Sequence, residues 1–204
     1  DYAVATGARS RAIGSQSTAT GGNSLAAGAF STATGYQSFA NGSFTVATGH
    51  GSIAGGSATT ATGAASSAWG LYSSAYGFSA RAGGDGTYTT NPTFQNTNTT
   101  AIGTNSMAGA LAAGQHDATA VGATSYANAN RATALGHTAV ASAEDATALG
   151  QASFATATGS TAVGQGSLAS AEGATALGEG SQANAVGSGA LGQNSLAGRA
   201  NSGS

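Results

Sequence analysis

Cysteine and lysine are absent from this chain of 204 residues, proline occurs once, and charged residues make up only 6% of the sequence. The lack of cysteine argues against a disulfide-stapled secreted module, and it is compatible with an extracellular bacterial protein or a cytosolic one. The formal net charge of −2 gives no basic footprint for nucleic acid. Neither a signal-peptide pattern nor an apolar run long enough to span a bilayer occurs in the sequence.

Glycine recurs at every seventh position over the first part of the chain. The series is unbroken, and alanine stands two positions before each member, from Ala5 to Ala82: Gly7, Gly14, Gly21, Gly28, Gly35, Gly42, Gly49, Gly56, Gly63, Gly70, Gly77 and Gly84. Disordered chains instead combine high net charge with loose patterning. The fixed period therefore indicates one structural unit stacked many times.

A seven-residue period is also typical of coiled coils, which require large apolar residues at two positions of each heptad. The invariant residues here are alanine and glycine, and each glycine would cost a helix roughly 1 kcal/mol. The period therefore favours short strands separated by tight turns. Glycine suits such turns because it adopts positive φ without steric cost.

The full repeat has fourteen residues, and its two halves differ. One half reads Thr-Ala-Thr-Gly, as at 18–21 and 32–35, and the other reads Ser, a large apolar residue and Ala, as at 24–26 and 38–40. Two unlike strands per coil, stacked at about 4.8 Å, predict an all-β parallel β-roll (a solenoid) of roughly fourteen coils. Thr20 and Thr34 should stack in a ladder whose later members are Val or Leu.

Three segments follow from the period. Residues 1–84 form a first roll tract, residues 85–99 break the period, and residues 100–204 form a second tract of the same continuous domain. The middle segment contains Pro92, which an interior ladder strand excludes, so we expect an insertion that loops out and folds back. A slip of the period at 107–117 predicts a small bulge. Because the sequence begins and ends in repeat-like material, we expect a fragment of a longer protein.

The size of the apolar side chains predicts self-association. A coil that contains mostly alanine and one Leu or Phe buries too little apolar surface to offset its loss of conformational entropy. The alanine column therefore suggests a second, close-packed surface against other subunits, with twofold or threefold symmetry both compatible with the sequence. Whether the alanine and threonine columns face the roll interior, the subunit interface or solvent is left open at this point.

The end of the first tract and the insertion are rich in aromatic residues, and loops on a rigid scaffold often carry binding residues. The candidate partner-binding residues are Trp69, Tyr72, Tyr76, Tyr88 and Phe94. The alternative is that these bulky residues close a wider section of a trimeric assembly beneath the insertion.

No arrangement typical of catalysis or of cofactor or metal binding is evident. The three histidines share no metal-ligand spacing, and the glycine-rich tracts lack the Gly-Lys-Ser/Thr of a phosphate loop. Glu144, Asp145 and Glu172 are interpreted as solvated turn residues. The five arginines, Arg9, Arg11, Arg81, Arg131 and Arg199, are spread along the chain, and whether they pair with Asp117, Glu144 or Asp145 across subunits is left open. An enzyme, a cofactor and a metal are therefore not expected.

One repeat resembles a known motif. The segment Asn23, Ser24, Leu25, Ala26, Ala27 and Gly28 is similar to the Asn-Ser-Val-Ala-Ile-Gly motif of YadA-like heads of trimeric autotransporter adhesins, with partial echoes at 101–103, 105–108 and 194–197. The resemblance implies a left-handed parallel β-roll that packs as a homotrimer. It further implies a virulence-associated head exposed on the bacterial cell surface, above a coiled-coil stalk and an outer-membrane anchor. Such heads attach to host extracellular matrix proteins, cell-surface receptors or other surfaces.

Two functions from different classes remain. The first is a non-catalytic adhesive head. The second is an ice-binding solenoid, because a Thr-x-Thr pair recurs once per coil at 18–20, 32–34 and 60–62. Val46 interrupts that array, and aliphatic residues take the equivalent column in the second tract.

Overall fold

The computed structural model describes residues 2–86 and 92–198, which contain strands and tight turns and no helix. Strands of three residues alternate with strands of two. The three-residue strands are β1 (Val4–Thr6), β3 (Thr18–Thr20), β5 (Thr32–Thr34), β7 (Val46–Thr48), β9 (Thr60–Thr62), β11 (Ser74–Tyr76), β13 (Thr100–Ile102), β15 (Thr119–Val121), β17 (Thr133–Leu135), β19 (Thr147–Leu149), β21 (Thr161–Val163), β23 (Thr175–Leu177) and β25 (Gly189–Leu191). The two-residue strands are β2 (Arg11–Ala12), β4 (Leu25–Ala26), β6 (Phe39–Ala40), β8 (Ile53–Ala54), β10 (Ser67–Ala68), β12 (Arg81–Ala82), β14 (Met107–Ala108), β16 (Tyr126–Ala127), β18 (Val140–Ala141), β20 (Phe154–Ala155), β22 (Leu168–Ala169), β24 (Gln182–Ala183) and β26 (Leu196–Ala197).

The strands form two parallel sheets of 13 strands each. The odd-numbered strands make sheet A and the even-numbered strands make sheet B, so each coil contributes one strand to each sheet. Thr18 pairs with Thr32 and Leu25 pairs with Phe39, which is a register of one fourteen-residue repeat. The all-β parallel β-roll that the period predicted is therefore confirmed.

Alanine fills the space between the two sheets. The middle residue of each three-residue strand points inward, as does the second residue of each two-residue strand; Ala19, Ala26, Ala134 and Ala141 are all 0% exposed. Because side chains alternate across a strand, the large residues beside these alanines point outward. The suggestion that the alanine column faces other subunits is therefore wrong. Methyl groups meet inside the roll, and it is the neighbouring columns that form its surface.

Serine and threonine close the corners of the roll from within. Ser17 and Ser125 are completely buried, and each hydroxyl donates to the carbonyl three residues earlier, at 2.6 Å to Gly14 and 2.9 Å to Gly122. A buried hydroxyl requires such a partner. Where serine or threonine stands before a strand, its hydroxyl can thus supply a turn-closing hydrogen bond; alanine takes this position at other corners, such as Ala132 and Ala146.

The glycines at alternate corners are needed for two different reasons. Gly21, which follows sheet A, has φ +122, and a Cβ there would lie 2.7 Å from the carbonyl oxygen of Gly35. Gly28, which follows sheet B, has no positive φ, but a Cβ there would overlap the carbonyl oxygen of Gly42 in the next coil. The sequence argument from positive φ therefore applies to the first corner only, and close approach of successive coils explains the second.

Candidate binding surfaces

The outward face of sheet A carries no charged residue in the part of the chain that the structure describes. We call this surface the uncharged face; it consists of the first and third residues of the three-residue strands. Its first column is Val4, Thr18, Thr32, Val46, Thr60, Ser74, Thr100, Thr119, Thr133, Thr147, Thr161, Thr175 and Gly189. Its third column is Thr6, Thr20, Thr34, Thr48, Thr62, Tyr76, Ile102, Val121, Leu135, Leu149, Val163, Leu177 and Leu191.

The third column changes character along the roll. Thr20 pairs with Thr34, so the predicted threonine ladder is confirmed in register. From Ile102 onward the column is aliphatic, and Leu135, Leu149 and Leu177 are 43%, 39% and 43% exposed. A row of half-exposed aliphatic side chains of this length is characteristic of a surface that another protein covers.

The outward face of sheet B is mixed. It presents apolar residues such as Phe154 and Leu168 together with Arg11, Arg81 and Gln182 in the same column. Guanidinium groups and amides remain solvated on an open surface, whereas the core of a protein interface is depleted of charge. The two sheets therefore differ in what they can meet.

The insertion is anchored to the roll at a buried asparagine. Asn96 is 1% exposed, and its amide group donates to the carbonyls of Gly109 and Ala112 and accepts from the backbone of Gln115. Its backbone amide also donates to Gly83 at 2.8 Å. The base of the insertion and the bulge that follows β14 are thereby fixed to one another, while both sheets continue past them, since β11 pairs with β13 and β12 pairs with β14.

The four candidate partner-binding residues that the structure describes do not form one patch. Trp69 is 2% exposed, and its indole donates to the carbonyl of Gly86 at 2.9 Å, so the start of the insertion covers it. Tyr76 is on the uncharged face, Tyr72 projects from the turn after sheet B and is 63% exposed, and Phe94 is half-buried in the insertion. Tyr88 lies outside the described residues.

The motif at 23–28 spans one turn and one strand of sheet B. Asn23 adopts φ +55, Ser24 is a buried corner residue, and Ala26 points into the roll. Leu25 and Ala27 lie on the outward face of sheet B and are half-buried. The motif thus contains every element of one half-coil: a left-handed turn residue, a corner hydroxyl, an inward methyl and a glycine of close approach.

Two further exposed aromatic pairs lie at the turns, where sequence reasoning did not look for them. Phe30 and Phe44 stack with ring centroids 5.0 Å apart on the turns after sheet B. Tyr36 and His50 stack at 5.5 Å on the turns after sheet A. The signal that would have found them is their spacing of one repeat, because equivalent turn residues lie directly above one another.

The acidic turn residues pair within the subunit. Arg131 binds Asp145 at 2.6 Å and Glu144 at 2.8 Å, and this hydrogen bonding holds the pKa of the Asp145 carboxyl below its ordinary value. These groups are exposed, as expected for solvated turn residues. Among the described residues no group of three His, Asp or Glu side chains could hold a metal ion, and no helix there could cross a bilayer.

Comparison with known proteins gives one family. The family described as YadA head domain repeat (2 copies) matches residues 5–31, 26–52, 33–59, 113–139, 141–167 and 169–195, which together cover well over half of the chain. No curated protein matches the chain. The long unmatched stretch, 60–112, contains the insertion and the first part of the bulge, where the fourteen-residue period is broken.

Proposed function

This chain belongs to the YadA head domain family of trimeric autotransporter adhesins, and we propose that it is the non-catalytic head of a homotrimeric adhesin on the bacterial surface. The head attaches to host extracellular matrix proteins, cell-surface receptors or other surfaces. Anchoring in the outer membrane is the task of a stalk and anchor outside this sequence. The observation that carries the proposal is the uncharged face on a roll whose interior holds little more than alanine.

The uncharged face supports assembly on physical grounds. Its aliphatic column would remain half-exposed in a single subunit, at an unfavourable cost of about 25 cal/mol for each Å² of apolar surface in water. The companion column is almost entirely threonine, whose hydroxyl can find a partner at an interface without the desolvation penalty of a charge. Three such faces turned toward a common axis would each meet both neighbours, which is the heterologous contact of a closed threefold ring.

The mass in solution tests this assignment. We expect the parent to sediment as three copies of the 19.1 kDa chain. The variant Leu135→Glu/Leu149→Glu/Leu177→Glu should sediment as a single subunit, because it places three carboxylates in the interface. A parent that sediments as one subunit would contradict the assembly.

A matched control uses the other sheet. Val140→Glu/Phe154→Glu/Leu168→Glu introduces the same charges on the outward face of sheet B in the neighbouring coils, and it should leave the trimer intact. If only the sheet B variant dissociated, the trimer interface would lie on sheet B, and the assignment to the uncharged face would be contradicted. Circular dichroism of both variants checks that the β-roll persists.

The insertion is the first segment to test for adhesion. Ala101 lies 19 positions after Ala82, whereas Ala75 lies 7 positions after Ala68. Removing residues 85–96 therefore restores the period, and Trp69→Ala removes the ring that the insertion covers. Solid-phase binding of the parent and of this variant to collagen, fibronectin and laminin measures the contribution of the insertion. Equal binding by the two proteins would move the contact site to the roll itself.

An ice-binding function is the second candidate, and one observation favours it. The pairs Thr18 and Thr20, Thr32 and Thr34, and Thr60 and Thr62 project from sheet A in register, as a regular array would require. The same face, however, is the one that we assign to the trimer, where ice could not reach it. Thermal hysteresis of the purified protein decides between the two uses of this face, and its absence would remove ice binding.

A further inference from the structure

Charge is distributed unevenly along the roll. Residues 2–84 contain Arg9, Arg11 and Arg81 and no acidic residue, whereas residues 92–198 contain Arg131 and five carboxylates: Asp117, Glu144, Asp145, Glu172 and Glu179. In the described ranges only Arg131 forms a salt bridge. Arg9 and Arg11 therefore have no salt-bridge partner in the described part of the chain, whereas Arg81 lies near Asp85 and helps to lower the pKa of that carboxyl.

Two of these arginines converge at one groove. Arg9 lies in the turn after β1 and Arg11 begins β2. Both line a surface groove of about 310 Å³, whose other lining residues are Asn23, Ser24, Leu25 and Gln37. The groove follows the corner between the sheet A turns and the outward face of sheet B. It is thus on the side of the roll away from the uncharged face.

The backbone holds three of the lining residues in one orientation. Arg9, Asn23 and Gln37 occupy the same turn position in successive coils, with φ of 57°, 55° and 56°. Hydrogen bonds connect these turns, since the backbone amide of Asn23 donates to the carbonyl of Ala8 at 2.9 Å. One cation and two amides are therefore stacked at the coil spacing of about 4.8 Å.

The chemistry of the groove suits an anionic sugar chain. Guanidinium groups bind sulfate and carboxylate through paired, charge-assisted hydrogen bonds, and side-chain amides both donate to and accept from hydroxyls. Duplex nucleic acid would require a denser basic surface than two arginines on a chain without lysine provide.

We propose that the groove lined by Arg9, Arg11, Asn23 and Gln37 binds a sulfated polysaccharide, with the two arginines on the anionic substituents and the amides on ring hydroxyls. The proposal names a ligand class for the adhesive head and so rests on the proposed function. Direct binding to a purified glycan keeps the two separable, because a head that ignores sulfated glycans could still adhere to matrix proteins.

The test is titration of the trimer with size-defined heparin oligosaccharides by calorimetry at physiological salt. Arg9→Gln/Arg11→Gln should weaken binding about tenfold or more, through loss of two charge-assisted contacts. The control Arg81→Gln/Arg131→Gln changes the net charge equally and should bind within about twofold of the parent. Circular dichroism and sedimentation verify that both variants are folded and assembled.

Competitors define the ligand class. Chondroitin sulfate should displace heparin, whereas uncharged dextran and single-stranded DNA should not. The proposal is overturned if the parent does not bind heparin, or if both double variants lose affinity equally, which would indicate diffuse charge. Displacement by dextran or DNA at the concentration of chondroitin sulfate would also overturn it.

Discussion

The corner after sheet A requires glycine because successive coils stack too closely there for a side chain, and Gly150→Ala tests this requirement. Gly150 has φ +134, and a Cβ there would lie 2.6 Å from the carbonyl oxygen of Gly164 and 2.7 Å from its carbonyl carbon. Ordinary contact begins near 3.4 Å, so the coils would have to separate locally by about 0.8 Å. The atoms in the way belong to backbone, which cannot rotate aside.

The cost has two parts. A backbone conformation that L residues rarely adopt costs about 1–3 kcal/mol. The backbone amide of Gly164 donates to the carbonyl oxygen of Leu149 at 2.8 Å. Separating the coils by about 0.8 Å would stretch this hydrogen bond to about 3.6 Å, where it contributes little. A lost hydrogen bond removes about 1 kcal/mol. We therefore expect Gly150→Ala to lower the free energy of unfolding by roughly 2–4 kcal/mol.

Gly166→Ala is the matched control. Gly166 also has positive φ, +64, but an added Cβ would have nothing within 4 Å. Its turn position is occupied elsewhere by Asn23 and Gln37, so only the left-handed backbone cost of about 1 kcal/mol applies. The two variants have the same composition as each other, and they differ in the φ of the substituted glycine and in what the new methyl group meets.

Urea denaturation followed by circular dichroism gives the overall change, and hydrogen exchange locates it. Because a solenoid couples each coil mainly to its neighbours, faster exchange in Gly150→Ala should be confined to the coils around β19 and β21. Equal midpoints and equal exchange for the two variants would show that inter-coil spacing does not require glycine at this corner.

Three further outcomes are expected. Ser153 is buried and donates to a turn carbonyl at 2.9 Å, so Ser153→Val should be less stable than Ser153→Thr by about 1–2 kcal/mol in urea, because only threonine keeps the hydroxyl. Asn96→Ala leaves buried carbonyls without a donor, so it should cost about 2–4 kcal/mol and expose Trp69 to acrylamide quenching of its fluorescence. Arg131→Gln should raise the pKa of Asp145, which Arg131 lowers from 3.8, in an NMR titration. The stabilisation from this pair is present above pH about 4 and is lost as pH falls through the lowered pKa.

The sequence predicted the repeat geometry because the period carries it. A residue that recurs every fourteen positions pairs with its own copy in a parallel roll, so the ladder from Thr20 to Thr34 follows from the sequence alone. The pairing of Arg131 with the acidic turn residues inside one subunit could not be predicted. It depends on side chains thirteen and fourteen residues apart reaching across one coil spacing, and a contact across subunits would use the same residues.

The role of Trp69 was equally beyond the sequence. Aromatic residues near an insertion are compatible with an exposed patch or with a filled gap, since both bury part of a ring and satisfy its polar group. The decisive contact is the indole hydrogen bond to Gly86, which depends on how the insertion returns to the roll. No local pattern encodes that path.

The orientation of the alanines is the point at which ordinary hydrophobic reasoning fails. Alternation along a strand allows Leu149 to point inward and Ala148 outward, or the reverse, and burial of the larger residue would normally decide. Here, outside the insertion and the bulge, turns of only four or five residues connect the sheets. Cα atoms of consecutive strands come within 8 Å, closer than the usual spacing of about 10 Å between packed sheets. Leucine does not fit between strands so close, so the methyl group takes the interior and the large side chain is left outside. The short turns that make the roll thin therefore also place its main apolar surface outside, where only another subunit can bury it.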